Sequence, residues 1–402
     1  MSLEKLKTKL NMKRYRVDMR YKFYEMKNYT RDLGISTPPN LMWLNSALGW
    51  NAKAVDSLAD RLQFVGFRSD SDFFQIDQIF KLNNPDVLAY SAINGALIAS
   101  CSFIYVSDVD GYPRMQVIDG GNATGEIDSS TGLLTEGYAV LVRDDSYNAI
   151  TEAYFTADYT TIYDYGVKTQ EIPNPARYPL LVPVIFRPDA RRPFGHSRIS
   201  RACMDYTAAA IRSLKRSEVS AEFFSFPQRY VTGLDQDHDK LDKWKATMSS
   251  LLAFEVSEDG TDHIKLGQFA QQSMTPHVDQ LRMFASLFAG ETGLTLDDLG
   301  FATANPSSAE AIKAAHENLR LTARRAQVSF GSAFLNAGLV AASVRDRQAY
   351  QRYQLYETVP VWRPLFEPDA SMLGAIGDGI SKLEMAFPDA VTRETLTELT
   401  GI

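Results

Sequence analysis

The spacing of apolar positions predicts helices over most of the first hundred residues. An apolar stripe at near-helical spacing predicts a first helix and contains Leu3, Leu6, Leu10, Val17, Tyr21 and Tyr24. Pro38 and Pro39 break the helical pattern, and a second helix is expected after them. Its apolar face has residues that recur three or four positions apart: Val55, Leu58, Leu62 and Val65. Residues 73–100 predict two more helices, separated where Asn83 to Pro85 interrupt the pattern.

From Ser102 to Pro188 the pattern changes to short runs of β-branched and aromatic residues. The runs are SFIYVSD, RMQVID, YAVLVRDD, TEAYFTADYTTIYDY and LLVPVIFRP, and turns rich in Gly, Asp, Asn and Pro separate them. This region therefore predicts an antiparallel sheet of about six strands.

Helical patterning returns at RRPFGHSRISRACMDYTAAAIRSLKRSEVSAEFF, with Ser197 as the expected N-cap and Pro227 as the stop. A small mixed insert then follows in residues 228–275. It contains a strand (QRYVTG), an acidic short helix (DQDHDKLDKWKATMSSLLAF) and a pair of strands joined by a Gly turn (FEVSEDGTDHIKLGQF). The next helix begins at Pro276, which suits the first helical position, and runs to Gly290.

The stretch GFATANPSSAEAIKAAHENLR precedes and begins the longest predicted helix. Ser307 and Glu310 form a capping box, and apolar periodicity continues to about Val344. A helix of that length spans ~55 Å at 1.5 Å per residue. Gly331, near its middle, is the expected position of a kink. Together these elements predict an α+β protein.

Composition is that of an ordinary folded protein. The chain has 402 residues, 45% of them hydrophobic and 23% charged. The longest uninterrupted apolar runs are far shorter than the roughly 20 residues that cross a bilayer, and the start lacks an apolar leader, so we expect no membrane contact and no secretion signal. Cys101 and Cys203 lie far apart in apolar surroundings and are predicted to be buried thiols.

Charge is distributed unevenly along the chain. Residues 1–31 carry ten Lys or Arg and three acids, so they contribute +7 to a net charge of -7, and the remainder carries -14. The basic first helix can contact nucleic acid, or it can be a solvated face that packs on acidic neighbours. The apolar stripe on the same helix favours the second interpretation.

Motifs of catalysis and cofactor binding are absent from the sequence. The five histidines never occur at H-x-x-x-H spacing, and no CxxC, Walker A or G-x-G-x-x-G motif is present. Ser197 in GHS lacks the second glycine of a nucleophile elbow. The alternating acids of DQDHD lack the glycine and the terminal glutamate of an EF-hand loop. We therefore predict neither an enzyme nor a metal or other cofactor.

Four stretches, in this order, resemble the portal proteins of tailed bacteriophages, most closely those of long-tailed phages of Gram-positive hosts. They are VDSLADRLQFVGF (55–67), RPFGHSRISRACMDYTAAAIRSLKRSEVSAEFFSFPQRYVTG (192–233), GETGLTLDDLGFATANPSSAEAIKAAHENLRLTARRAQVSFGSAF (290–334) and VWRPLFEPDASMLGAIGDGISKL (361–383). The resemblance covers most of the chain.

The resemblance implies a ring-forming subunit whose parts follow the order of the family. The parts would be a helical and β wing (1–191), a stem helix (192–224), a mixed α/β clip (225–275), a second stem helix (276–291), a tunnel loop (292–307), a long kinked helix (308–344), a wing return (345–369) and a short helical crown (370–402). The crown is abbreviated relative to the family.

Site residues follow from this assignment. The tunnel loop would line a DNA channel with Thr295, Asp297, Asp298, Thr303, Asn305 and Ser307. The clip would dock partner proteins through Asp235, Asp237, Asp239, Lys243, Glu258 and Asp259. The stem would pack against neighbouring subunits through Ile211, Leu214, Phe284, Leu287 and Phe288.

The implied function is a homo-oligomeric ring, dodecameric in the family, through which double-stranded DNA enters and leaves the capsid. The implied partners are the terminase large subunit, a head-completion adaptor, and the major capsid and scaffolding proteins, in the virion and, during assembly, in the host cytoplasm. No Lys or Arg occurs between Gly290 and Ser308, which is the composition expected of a loop that lets DNA slide. The alternatives are an ordinary acidic surface loop, and a small soluble DNA-binding protein that uses the basic first helix.

Overall fold

The computed structural model describes residues 3–31, 41–71, 73–225, 229–234, 251–255, 265–268, 273–301, 309–365, 370–388, 391–392 and 396. Its helices are α1 (Leu3–Tyr24), α2 (Trp50–Ala59), α3 (Ile76–Lys81), α4 (Pro85–Ala99), α5 (Arg201–Ser225), α6 (Thr275–Thr292), α7 (Ala309–Ala315), α8 (Glu317–Asp346) and α9 (Ala370–Ala386). The first strands are β1 (Phe64–Arg68), β2 (Cys101–Val109), β3 (Tyr112–Ile118), β4 (Ala123–Ile127), β5 (Leu134–Arg143) and β6 (Ala149–Phe155). The remaining strands are β7 (Tyr159–Asp164), β8 (Val167–Pro173), β9 (Leu181–Ile185), β10 (Arg229–Leu234), β11 (Leu251–Glu255), β12 (Lys265–Gln268) and β13 (Val359–Trp362). The α+β class is confirmed.

Contacts divide the chain into two compact units. Unit 1 contains Met1–Asn28, Gly49–Met204 and Gly290–Ile402, and unit 2 contains Tyr29–Leu48 and Asp205–Ala289. Each unit has its own β-structure, and each is described below by itself.

The helices predicted in the first hundred residues are present, but one of them is shorter than its pattern suggested. Helix α2 ends at Ala59, and Phe64–Arg68 form strand β1, which pairs antiparallel with β13. Leu62 is buried, whereas Val65 is 54% exposed, so the predicted helical face does not continue past the end of α2. The pairing partner of β1 lies almost three hundred residues away, which local periodicity cannot reveal.

The predicted sheet region of unit 1 forms two antiparallel sheets instead of one. The smaller sheet has the order β3-β2-β9, and the larger has the order β4-β5-β6-β7-β8. Strands β4 and β8 escaped the prediction, and the run TEAYFTADYTTIYDY contains two strands, β6 and β7. A glycine in the middle of β4 and the polar composition of β8 explain why neither has the apolar alternation of a typical strand.

Helix α8 forms the centre of the core of unit 1. Between Phe330 and Val344 every residue except Ser332 is buried. This segment packs on β2, β3, β9, α3 and β13. An aromatic cluster closes one side of the core, because the Phe64 ring lies 4.9 Å from the Phe334 ring and 5.3 Å from the Trp362 ring.

By length and composition alone, α8 is apolar enough to span a membrane. Of its most apolar 18-residue window, 78% is buried inside the protein. The packing of the core therefore accounts for the apolar character of this helix.

Unit 2 contains the small mixed insert. Strand β10 lies between β11 and β12, parallel to β11 and antiparallel to β12. The predicted pairing of β11 directly with β12 through a Gly turn is wrong, because β10 separates them. The segment Leu251–Phe254, predicted as the end of the acidic helix, belongs to strand β11.

The N-terminus of α5 corrects the prediction for Ser197. The helix begins at Arg201, and Ser200 Oγ accepts a hydrogen bond from the Cys203 N–H at 3.2 Å, so Ser200 is the N-cap. The buried Ser197 hydroxyl instead donates to the carbonyl of Ile98 at 2.6 Å and accepts from the Ile199 N–H. Ser197 therefore ties the residues before α5 to the end of α4. Both cysteines are free and buried, as predicted, and burial raises the pKa of the Cys203 thiol.

The long helix is interrupted at His316, and its second part continues as a helix through Gly331, the predicted position of a kink. Helix α7 ends at Ala315, α8 begins at Glu317, and α8 then continues through Gly331 to Asp346. A Cβ at Gly331 would lie 2.6 Å from Pro360 Cγ and 3.5 Å from Trp362 Nε1. The glycine is therefore explained by the close approach of β13. The predicted cap Ser307 lies outside the described residues.

We predict that Gly331→Ala destabilises unit 1 by about 1–3 kcal/mol, because the added methyl group overlaps the Pro360 ring and the strand must shift. Gly374→Ala is the matched control, since it lies in helix α9 with no atom within 4 Å of the added Cβ. We expect this control to be neutral or more stable, by up to about 1 kcal/mol, from helix propensity. Thermal unfolding of both variants checks the prediction, and equal stability of the two would contradict it.

Candidate functional site

The loop after α6 is held in one conformation by contacts within itself. The Thr295 N–H and the Thr295 hydroxyl both donate to Asp298 Oδ2 at 2.9 Å, and Thr295 Oγ accepts from the Asp298 N–H at 3.2 Å. These contacts stabilise a 3-10 turn at Asp297–Leu299, which ends at Gly300 with φ +90°. Leu294 and Leu299 are buried beneath the turn. The described part of this loop is therefore stabilised by hydrogen bonds between its own residues.

His316 connects this loop to the start of α8. Its Nε2 lies 3.2 Å from Asp298 Oδ2, and its Nδ1 lies 2.9 Å from the carbonyl oxygen of Ile312. Both ring nitrogens face oxygen acceptors. The ring therefore binds the loop and the last turn of α7 together, and this accounts for the interruption of the helix at this residue.

The electrostatics of Asp298 follow from these contacts. Burial raises the pKa of the Asp298 carboxyl, but the hydrogen bonds from Thr295 and the nearby His316 outweigh burial, and the pKa lies below its ordinary value. The carboxylate is thus a structural group of the loop. Its neighbour Asp297 is exposed.

A buried arginine anchors the start of the same loop. Arg198 Nη2 donates to the carbonyl of Thr292, the last residue of α6, and Nε donates to the carbonyl of Ala54 in α2 at 3.2 Å. Burial lowers the pKa of Arg198 to about 10. A single guanidinium group therefore joins Thr292 and Ala54, which both belong to unit 1, to the residues before α5.

Three of the six predicted loop residues lie in the described part of the chain. Thr295 and Asp298 are engaged with each other, while Asp297 presents its side chain to solvent. The other three predicted loop residues, Thr303, Asn305 and Ser307, lie outside the described residues.

Helices α5 and α6 of unit 2 lie side by side and antiparallel. Ser213 Oγ donates to Gln280 Oε1 at 2.8 Å, and Ser220 Oγ lies 3.2 Å from His277 Nε2. Residues of the segment before α2 also contact α5, since Ser46 Oγ donates to Glu218 Oε2 at 3.2 Å. These contacts fix the two helices along at least two turns.

Two of the five residues predicted to contact a neighbouring subunit are interior. Ile211 and Phe288 are buried within the single chain, at 6% and 0% exposure, so they cannot supply free apolar surface. This corrects the prediction for both residues. Leu214 and Phe284 are half-buried, and Leu287 is 45% exposed. Met283, one helical turn before Leu287, is 50% exposed.

The predicted docking residues of the insert are Asp235, Asp237, Asp239, Lys243, Glu258 and Asp259. All six lie outside the described residues, so the structure says nothing of them. Within the described part of the chain, no group of three or more His, Cys, Asp or Glu could hold a metal ion.

The basic first helix packs on the larger sheet, in agreement with the interpretation favoured by its apolar stripe. Leu6 and Leu10 are buried against Tyr138 and Val140 of β5. Two lysines of α1 form ion pairs with carboxylates of the sheet at 2.7 Å: Lys7 with Glu152, and Lys9 with Glu126. Part of the positive charge of α1 is therefore neutralised within the chain.

Two curated phage proteins match this chain over nearly its whole length. The "Portal protein" of Mycobacterium phage L5 is 26% identical over 396 residues, which covers 92% of this chain and 79% of that protein. The "Portal protein" of Mycobacterium phage D29 is 26% identical over 402 residues, with the same coverage. This chain is a relative of phage portal proteins. No family model matches the chain.

Two solved structures are also similar to this portal relative. One is a chain of the virion of a native gene transfer agent particle, with 11% identity, a TM-score of 0.49, and coverage of 96% of this chain and 99% of that chain. The other is a chain of the neck of an empty particle of that kind, with 11% identity, a TM-score of 0.42, and coverage of 90% and 92%. We base the relationship on the two phage proteins.

The sequence did not reveal the two residues that position the loop of this portal relative. Arg198 stands in HSRIS beside the serine singled out as a cap, and nothing in the pattern shows that its guanidinium is buried. His316 has no neighbouring Gly or Pro that would signal an interruption of the helix. Both roles depend on tertiary contacts.

We predict that Asp298→Asn loosens the loop at neutral pH but not at acid pH. Because the folded pKa of Asp298 is lowered, the carboxylate stabilises the loop above its unfolded pKa, roughly 3.9, and the effect disappears as the pH falls through the folded pKa. Hydrogen exchange of amides 294–301 should be several-fold faster in the variant at neutral pH, and the difference should disappear as the pH falls through the folded pKa of Asp298. Asp297→Asn is the control, and an equal effect of the two variants would refute the role of Asp298.

Proposed function

We propose that this chain is a portal subunit, which assembles into a homo-oligomeric ring at a capsid vertex and forms the conduit for double-stranded DNA. By analogy with the family, the ring has about twelve subunits and resides in the virion after assembly in the host cytoplasm. It would bind the terminase large subunit and later a head-completion adaptor through the insert of unit 2, and capsid and scaffolding proteins at its periphery. It would have no chemistry and no cofactor of its own.

The observation that carries this proposal is the match to two proteins named portal protein along 92% of the chain. A match of that extent leaves only about 8% of the chain uncovered. It therefore supports a role for the whole chain and not for one shared module.

The loop after α6 supports the conduit role. A surface along which DNA slides must not hold phosphates, since each phosphate neutralised by Lys or Arg adds affinity through counterion release. Residues 290–308 contain no Lys or Arg. In its described part, the loop is also anchored at Thr292 by Arg198 and at Asp298 by His316. A loop that carries no positive charge can line a channel without retaining DNA.

Helix α6 supports the ring. Leu287 and Met283 lie one turn apart, and each is about half exposed in the single chain. A neighbouring subunit that covered them would bury apolar surface worth roughly 25 cal/mol per Å². We place the subunit contact of α6 on this pair, with Phe284 and Leu214 at its edge.

We predict that Leu287→Asp abolishes ring assembly while the subunit stays folded, because a carboxylate on the contact surface is desolvated without a partner. Native mass spectrometry and negative-stain images of the same sample give the subunit number directly. Val167→Asp in β8 is the matched control, since Val167 is 66% exposed and lies far from α6 in the sequence. Rings that persist in Leu287→Asp would remove α6 from the contact.

We predict that Asp297→Lys makes assembled rings retain DNA. One added cation per subunit around a channel supplies phosphate contacts, and each contact adds roughly 0.9 to the slope of log K against log salt. Retention of duplex DNA by the rings is measured at salt concentrations from about 50 to about 200 mM. The increase over the parent should be largest at the lowest salt. Asp145→Lys, an exposed loop residue of unit 1, is the control. Equal retention by both variants would show that Asp297 does not face DNA.

A further inference from the structure

Five cations of α1 lie on one face of the helix. They recur three or four residues apart, so that their side chains form a continuous stripe about 22 Å long at 1.5 Å per residue: Lys5, Lys9, Lys13, Arg16 and Arg20. This face differs from the one formed by Leu6, Leu10 and Val17, which is buried.

The stripe forms one wall of a groove in unit 1. The groove has a volume of about 770 Å³, and its second wall is the loop Arg192–Gly195. The loop lies close to Phe186, because the His196 N–H donates to the Phe186 carbonyl at 2.9 Å and a Cβ added at Gly195 would lie 2.1 Å from the same oxygen. The groove contains a single acidic residue, Glu4. Apolar groups of Met12, Pro193 and Phe194 also line it.

Most of the positive charge in this groove has no carboxylate partner. In the described part of the chain, Lys9 pairs with Glu126 at 2.7 Å, but no carboxylate lies within ion-pair distance of the other four stripe cations or of Arg192. Lys13 donates to the Cys101 sulfur at 2.9 Å and lies over the Phe103 ring at 5.3 Å from its centroid, and Arg20 donates to the Ala99 carbonyl at 3.1 Å. Burial and the nearby charges of Arg16 and Arg192 lower the pKa of Arg20. Three guanidinium groups therefore repel one another in the free chain, and an anion placed among them would relieve that repulsion.

The form of the groove favours a polypeptide over nucleic acid. Single-stranded nucleic acids bind through exposed aromatic faces on which the bases stack. The Phe194 ring is already engaged, because the Lys9 ammonium lies 4.9 Å and the Lys13 ammonium 5.5 Å from its centroid. The cations line the wall of a concave site with apolar lining, whereas a duplex presents its phosphates to an open surface. Acidic side chains interleaved with apolar ones would match both components of this lining.

We propose that the groove between α1 and the loop 192–195 is a docking site for an acidic, amphipathic segment of a partner polypeptide. A helical segment of about sixteen residues matches the length of the stripe. Its carboxylates would pair with Arg16, Arg20 and Arg192, and its apolar side chains would cover Met12 and Phe194. This inference concerns the single chain and does not depend on the ring.

Fluorescence anisotropy on the full-length protein tests the proposal with defined probes. The first probe is a labelled peptide of about 16 residues, made of Glu and Leu in an amphipathic helical pattern, so that its helix is about as long as the stripe. The second has Ser in place of every Leu, and the third is a labelled single-stranded oligonucleotide of comparable length. We expect the first probe to bind about tenfold more tightly than the second and the third, and to weaken as salt is added.

A pair of charge reversals on one helix provides the matched control. Arg16→Glu lies in the groove, and Lys22→Glu is also an exposed cation of α1 but is not among the groove residues. Both variants lose the same net charge. Arg16→Glu should weaken binding of the first probe about tenfold, and Lys22→Glu should leave it within about twofold. Lys5→Glu, at the other end of the stripe, provides a second groove variant if Arg16→Glu unfolds by circular dichroism.

Four outcomes would overturn the proposal. Equal weakening by the two reversals would mean general charge attraction, and no binding of the first probe would mean that the groove takes no such segment. Tighter binding of the oligonucleotide would assign the groove to nucleic acid. If the peptide bound only unassembled chains, and Arg16→Glu prevented self-association, the occupant would be a second copy of this chain.

Discussion

The packing of residues 330–344 of α8 is the interaction on which the rest of unit 1 depends. Both the small sheet β3-β2-β9 and the paired strands β1 and β13 contact this one buried segment. Its small residues allow the close approach, since Gly331 faces Pro360 and Gly338 faces Ile76. The loop after α6 reaches this core indirectly, because His316 stands immediately before the first residue of α8. The described part of the candidate channel loop is thus connected to the helix that forms this buried core.

Positively and negatively charged side chains lie in different parts of the described chain. Cations of α1 either pair with the larger sheet or line the groove beside the loop 192–195. In the described part of the loop after α6, the charged side chains are carboxylates, and one of them, Asp298, accepts hydrogen bonds that stabilise the loop. The proposed conduit role would require this separation, because a few cations in a channel would add affinity at every passing phosphate.

Sequence periodicity predicted the elements whose apolar pattern is local, and failed where a distant partner decides. The helices α1, α4 and α6 and the strands β2, β3 and β5 follow from their own residues. Strand β1 was missed because its partner β13 is almost three hundred residues away, and the break at His316 was missed because an imidazole contact with Asp298 creates it. Gly331 was assigned to a kink, since its close neighbour Pro360 is invisible in the sequence. Of the candidate site, the loop composition was readable, but the burial of Ile211, Phe288 and Arg198 was not, because burial depends on all the elements together.

The strand order of unit 2 has a consequence for how the chain acquires its structure during synthesis. The central strand β10 is made first, and its partners β11 and β12 are at Leu251–Glu255 and Lys265–Gln268. Until those residues leave the ribosome, both edges of β10 carry unpaired backbone groups, which can pair with other chains. A non-local pairing of this kind also forms slowly. The emerging subunit is therefore most prone to aggregate in the interval before residue 268 appears, and translation that pauses in this stretch would prolong that exposure.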